Sequence, residues 1–204
     1  MIAFVSRLAV ALHRSRAAII TMALANVLSV AAGIVMVSAG SQFALRYRDR
    51  LVARAIQNDP ASIAFNEGAR LRAALLDFSR NLGLGAAPET VTGLTVVSPY
   101  VFGLYRGWVG GIVSIDRQHR SRLREAGPAV SYLVTLVLQL IPYSLAGGIG
   151  VHLGLTYFRR PAYYAGPRIM GYPVDALKDV ARVYALIAPL FLVASLWEFL
   201  NPWA

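Results

Sequence analysis

Cysteine is absent from this chain of 204 residues, which excludes disulfides, thiolate metal sites and cysteine nucleophiles and leaves the redox compartment unread. Charge is scarce as well. Asp, Glu, Lys and Arg make up 15% of the residues and 57% are apolar, where a soluble domain carries about 25% charged residues. With a mean hydropathy of +0.55, the chain is not a simple water-soluble globule. Acids are the scarcer sign, 10 against 20 basic residues, for a formal net charge of +10. On a soluble chain that balance points to nucleic acid. On an apolar chain it reports cytoplasmic loops and anionic lipid, so lipid is expected as a partner and nucleic acid is not. Lysine is nearly missing, Lys178 standing alone among arginines.

The patterns that carry catalysis are missing too. His13, His119 and His152 fall in three separate regions without metal-ligand spacing. The carboxylates are scattered singly, with no acid-base pair. No nucleophile elbow, phosphate-binding loop or dinucleotide fingerprint occurs. The expectation is therefore a protein that is not an enzyme and uses no metal or cofactor.

What the sequence does contain is apolar length. A hydrocarbon core of ~30 Å takes about 20 apolar residues in a helix, and residues 17–40, 91–115, 128–158 and 183–200 are of that kind. The expected fold is all-α, a polytopic transmembrane helical bundle with four clear spans. Residues 1–16 place Phe4, Leu8 and Leu12 on one helix face with Arg7, Arg14 and Arg16 at its rim, which reads as an interfacial amphipathic helix. Span 17–40 exceeds a secretory h-region of roughly 7 to 15 residues, so it is expected to be an uncleaved anchor. Residues 41–90 form an amphipathic connecting region, turning at Asp59-Pro60, and 71–85 within it is a surface helix, a re-entrant piece or a fifth crossing. Residues 91–204 hold the remaining bundle, where Pro142 is expected to kink or break the third span. Basic residues flank both sides in either orientation, and a cytoplasmic N-terminus is adopted.

Helices in lipid associate through small residues that let backbones approach. Gly103, Gly107 and Gly111 recur at four-residue intervals, Ala146, Gly150 and Gly154 repeat the device, and Ala25, Ser29 and Gly33 offer a third face. These nine residues are candidates for helix packing or for docking another membrane protein, including a second copy of this chain. Polar residues inside the spans are costly, about 2.5 to 3.5 kcal/mol for a central charge. Arg106 is the deepest, and Glu198 is expected to be its partner. Asn26, Gln139 and His152 are expected to hydrogen-bond across helices. After the third span, aromatic and basic residues interleave as an interfacial collar, with Arg159 and Arg160 meeting lipid headgroups.

The segment Phe78-Ser79-Arg80-Asn81-Leu82-Gly83-Leu84-Gly85, the glycines from Gly103 to Gly111, the run Gln139 to Gly154, and a last span with Pro189 and Glu198 together resemble the stage II sporulation protein M family of membrane proteins. The resemblance covers roughly residue 78 onward and rests on the order of the segments. The family's His-Gly pair would fall on Thr135-Leu136 and its acid on Gln139, so roles tied to those groups do not transfer. The resemblance implies a multi-span helical scaffold, since the named sporulation member helps to assemble and localise a cell-wall-remodelling complex. The leading expectation is thus a scaffold or accessory subunit of the bacterial cytoplasmic (inner) membrane that docks to other membrane proteins. The alternative is a permease component for a small molecule or ion, in which Pro142 to Gly150 forms a broken helix and Gln139 and His152 line the path. A cavity reaching Gln139 would favour that alternative.

Overall fold

The first helix, α1 (Ile2–Ser38), runs 37 residues without a break because no proline or glycine pair interrupts its apolar run. In the computed structural model, which describes residues 2–201, the expected interfacial helix over 1–16 is simply the first part of α1. At 1.5 Å per residue α1 is about 55 Å long, well beyond a hydrocarbon core. It ends where Gly40 takes a φ of +72° and the Ser41 amide bonds back to the Met36 carbonyl at 3.0 Å, a left-handed cap that suits glycine.

The amphipathic α2 (Gln42–Asn58) follows, then α3 (Pro60–Asn66). Asp59 caps α3 by accepting from the Ser62 amide at 3.1 Å, with Pro60 in the first turn. After Gly68, α4 (Arg70–Arg80) passes through a π-helical turn, Asn81–Ala86, into α5 (Ala87–Thr92) and a 3₁₀ turn, Gly93–Thr95. The chain reverses at Val96 (φ +66°) into α6 (Ser98–Ile112), loops through 113–125, and enters α7 (Ala126–Phe158). A two-residue antiparallel hairpin, β1 (Arg168–Ile169) with β2 (Tyr172–Pro173), leads into α8 (Val174–Leu200).

Among the described residues three helices, not four, are long and apolar enough to cross a membrane: α1 from Ala3 onward, α7 and α8. The expected span over 91–115 is not one helix. Pro99 has no amide to bond backward and disfavours helical geometry at Ser98, so the run breaks at Gly93 to Val97. What remains, α6, is 15 residues, or about 22 Å. Conversely, Pro142 does not break α7, which stays a single helix of 33 residues.

Glycine contacts set the helix directions. Gly103, Gly107 and Gly111 of α6 meet Met22, Asn26, Ser29, Val30 and Gly33 of α1 in ascending order, so α1 and α6 run parallel. Gly147 of α7 meets Met22 and Gly148 meets Ile19, so α7 runs the other way. On its other side α7 receives the α5 segment, with Gly150 against Thr90 and Gly154 against Gly93. α8 closes the bundle antiparallel to α7, and the core between α1, α7 and α8 is built on Ala146, Ile149, Val183, Ile187 and Phe191.

Candidate functional site: a polar cavity between α4, α6, α7 and α8

Helical spacing gathers the polar residues at one end of the bundle. Asp77 and Asn81 lie four apart at the end of α4, Gln139 and Tyr143 four apart on α7, and Ser195 and Glu198 three apart on α8, so each pair shares one helix face. Those faces converge on a cavity of about 540 Å³, a size typical of small-ligand pockets. Arg80, Arg106 and Arg122 also line it, as do the apolar Val109, Leu136 and Leu140.

Asp77 organises this wall. It is 7% exposed, and its Oδ2 accepts from the Ser195 hydroxyl at 2.7 Å, the Asn81 amide at 2.8 Å and the Gln139 amide at 3.5 Å. The same Gln139 nitrogen donates to Glu198 Oε2 at 3.1 Å, so one amide joins the two carboxylates. Tyr143 donates to Asn81 Oδ1 at 2.8 Å and extends the network across α7. Among the described residues neither Asp77 nor Glu198 forms an ion pair. The nearby arginines are engaged elsewhere: Arg80 with Asp59, and Arg106 with Glu89. Arg122 lines the cavity and has no carboxylate partner among the described residues.

The expected pairing of Arg106 with Glu198 is therefore corrected. The break at Gly93 to Val97 folds α5 back beside α6, so Glu89, only 17 positions earlier in the chain, reaches Arg106 first. Glu89 is 1% exposed, and its Oε1 has no hydrogen-bond partner among the described residues. The Arg106 guanidinium carbon also lies 3.4 Å from the centroid of the Tyr143 ring, a cation-π contact that ties the ion pair to the cavity wall.

The other expected site residues are distributed as follows. Gly103, Gly107, Gly111, Ser29 and Gly33 form the α1–α6 contact, where Ser29 donates to the Leu104 carbonyl. Ala25 stays half-buried; Asn26, one position on, takes its place on that face. Ala146 is fully buried and, with Gly150 and Gly154, lies inside the chain. All three small-residue faces are thus filled by the protein's own helices. Asn26 donates to Ser144 at 3.0 Å.

His152 lies toward the opposite end of α7 from the cavity. It meets the Tyr164 hydroxyl at 3.1 Å, Tyr164 donates to Asp179 at 2.9 Å, and Arg14 donates to Asp179 at 3.0 Å. These bonds latch α1, α7 and α8 together. Arg160 is used internally, donating to the Tyr164 and Gly166 carbonyls, whereas Arg159 is exposed.

Sequence reasoning missed Asp77, Glu89, Arg122, Tyr143 and Ser195 as site residues. The Asp77 to Asn81 spacing within an apolar segment was a usable signal. Glu89 had none, because its role depends on the chain reversal. No family model, no curated protein and no solved structure matches this chain.

Proposed function

We propose that this protein is a multi-span component of the bacterial cytoplasmic membrane that binds a small polar solute in the cavity between α4, α6, α7 and α8, as the binding part of a permease. The observation that carries the reading is a cavity of about 540 Å³ reaching Gln139, walled by two carboxylates that have no cationic partner among the described residues. Polar groups at membrane depth are expensive and are kept where they line a pathway or bind something. The π-helical turn at Asn81–Ala86, whose Asn81 lines the cavity, supplies an interrupted helix beside it, as ligand sites in transporters use, in place of the broken helix expected at Pro142. Nothing in this role requires catalysis.

The test exploits the missing cysteines. Leu136→Cys and Leu140→Cys, whose parent residues line the cavity, are expected to react with a small hydrophilic thiol reagent in membranes, while Leu28→Cys on the outer face of α1 stays inert in lipid. Inert cavity cysteines sink the proposal.

A second reading keeps the chain as a non-catalytic scaffold or accessory subunit for other membrane proteins, or for a second copy of itself. Its support is the resemblance to the sporulation family together with an outward apolar face on α1, where Leu24, Val27, Leu28 and Val35 are all more than half exposed. That face suits lipid or a partner helix. Purification in gentle detergent followed by mass analysis separates the readings: a stoichiometric companion or self-association favours the scaffold, and a chain that runs alone counts against it.

A further inference from the structure

Resting on the solute-binding reading, we infer that the cavity takes an amphoteric ligand, with its ammonium between Asp77 and Glu198 and its phosphate or other oxyanion against Arg122. The charge layout carries the inference. Asp77 and Glu198 share one amide donor and have no cation of their own among the described residues, although both border open volume. Arg80 and Arg106 border the same volume with their charges already balanced by Asp59 and Glu89. Arg122 alone brings a guanidinium that no carboxylate contacts among the described residues, Asp116 and Glu198 acting on it only at longer range. It sits in a short 3₁₀ turn at the mouth, held by its own amide donating to the Ser114 carbonyl at 2.9 Å.

A buried charge left unpaired is costly. That cost falls on Asp77 and Glu198, because Arg122 is exposed; a simple cation would neutralise the acids and gain nothing from Arg122, while a simple anion would meet Arg122 and leave the acids unpaired. A zwitterion satisfies both walls at once, and the apolar Val109, Leu136 and Leu140 match the carbon link between its charges. The same chemistry comes from two sources, a free zwitterion such as phosphoethanolamine or the headgroup of phosphatidylethanolamine in the bilayer.

Calorimetric titration of the full chain with phosphoethanolamine, ethanolamine and inorganic phosphate tests the assignment, alongside nanodiscs with and without phosphatidylethanolamine. Phosphoethanolamine is expected to bind at least tenfold more tightly than either fragment. Glu198→Gln and Arg122→Gln should each lose at least tenfold, while Arg124→Gln, in the same turn but outside the cavity lining, changes nothing. Binding confined to phosphatidylethanolamine nanodiscs, with the same sensitivity to Arg122→Gln, identifies the lipid headgroup as the source. If one fragment binds as tightly as the whole, the amphoteric class is wrong and the cavity reading stands. If no probe binds while Leu136→Cys still labels, the inference fails alone; if Leu136→Cys is also inert, both fail. Arg122 lies outside the long spans, so its variant keeps the test open should Glu198→Gln fold poorly.

Discussion

Glu89, itself buried, and the partly exposed Arg106 form an ion pair across the α5–α6 reversal, and the guanidinium of the pair rests on the ring of Tyr143. Removing one member of such a pair leaves the other charged and unpaired inside a low-dielectric bundle, which costs about 3–5 kcal/mol. Glu89→Gln and Arg106→Gln are therefore each expected to lower the denaturant midpoint of the detergent-solubilised protein markedly. The exchange Glu89→Arg with Arg106→Glu should recover part of the loss. Combining Arg106→Glu with Glu198→Arg should recover none of it, because Glu198 is bonded to Gln139 instead; recovery there would restore the α6–α8 pairing.

The α1–α6 contact should be intolerant of a single methyl. A Cβ at Gly107 would lie 2.6 Å from the Asn26 carbonyl oxygen, and one at Gly33 2.5 Å from the Trp108 carbonyl oxygen, both fixed backbone. Gly107→Ala is expected to cost about 1–3 kcal/mol through overpacking. Gly83→Ala, where a Cβ meets nothing within 4 Å, is expected to be neutral or slightly stabilising, since glycine is a poor helix former. Paired melting curves of the two variants decide it, and equal losses would mean that the glycine seam is not the source of the packing.

These residues also show how far the sequence could be read. The four-residue glycine repeat is visible in one dimension because a helix face has a fixed period, so the packing faces could be named from spacing. Which helix fills each face could not, because a small residue accepts any backbone equally well. Length and hydropathy identify α1, α7 and α8 for the same local reason. They fail over 91–115, where the run stays mostly apolar while Pro99 and the contact of Gly93 with Gly150 break the helix. Gln139 was legible as an unusual polar residue in a span. Its pairing with Asp77 and Glu198 was not, since they come from elements 62 and 59 positions away in the chain and meet it only after α4 and α8 pack against α7.

The loop before α7 should respond to acid through Asp116. The Arg120 main-chain N–H holds this carboxyl below its ordinary range; slight desolvation opposes the shift, and the Arg120 guanidinium and the Gln118 amide reinforce it. The Arg120 and Gln118 amides donate at 2.9 and 2.8 Å. A carboxyl depressed in the folded state adds stability that is present above its unfolded value of about 3.9 and is lost as pH falls through the lower folded value. Protection of the Gln118 and Arg120 amides from hydrogen exchange is therefore expected to hold at neutral pH and to fall only below about pH 4. In Asp116→Asn that acid-dependent step should vanish; an unchanged profile would remove Asp116 as the cause.

The helix directions make a prediction about the membrane itself. Leu94, just before the chain reversal, packs with Leu153, Tyr164 and Ala176 where α7 ends and α8 begins, and Tyr100, just after it, meets Thr21 at 2.6 Å near the middle of α1. The segment from α4 through the 3₁₀ turn therefore runs from the cavity end of the bundle to the opposite end, although no single helix in it is long enough to span. The turn at Val96 to Val97 should then share a membrane face with the β1–β2 hairpin, and the loop carrying Arg117 should share the other face with α2. In this cysteine-free chain, Val97→Cys and Met170→Cys, both strongly exposed positions, are expected to react with an impermeant thiol reagent from one side of a sealed vesicle, and Arg117→Cys only from the other. Labelling of Val97→Cys from the same side as Arg117→Cys would mean that the interrupted segment turns back within the bilayer instead of traversing it.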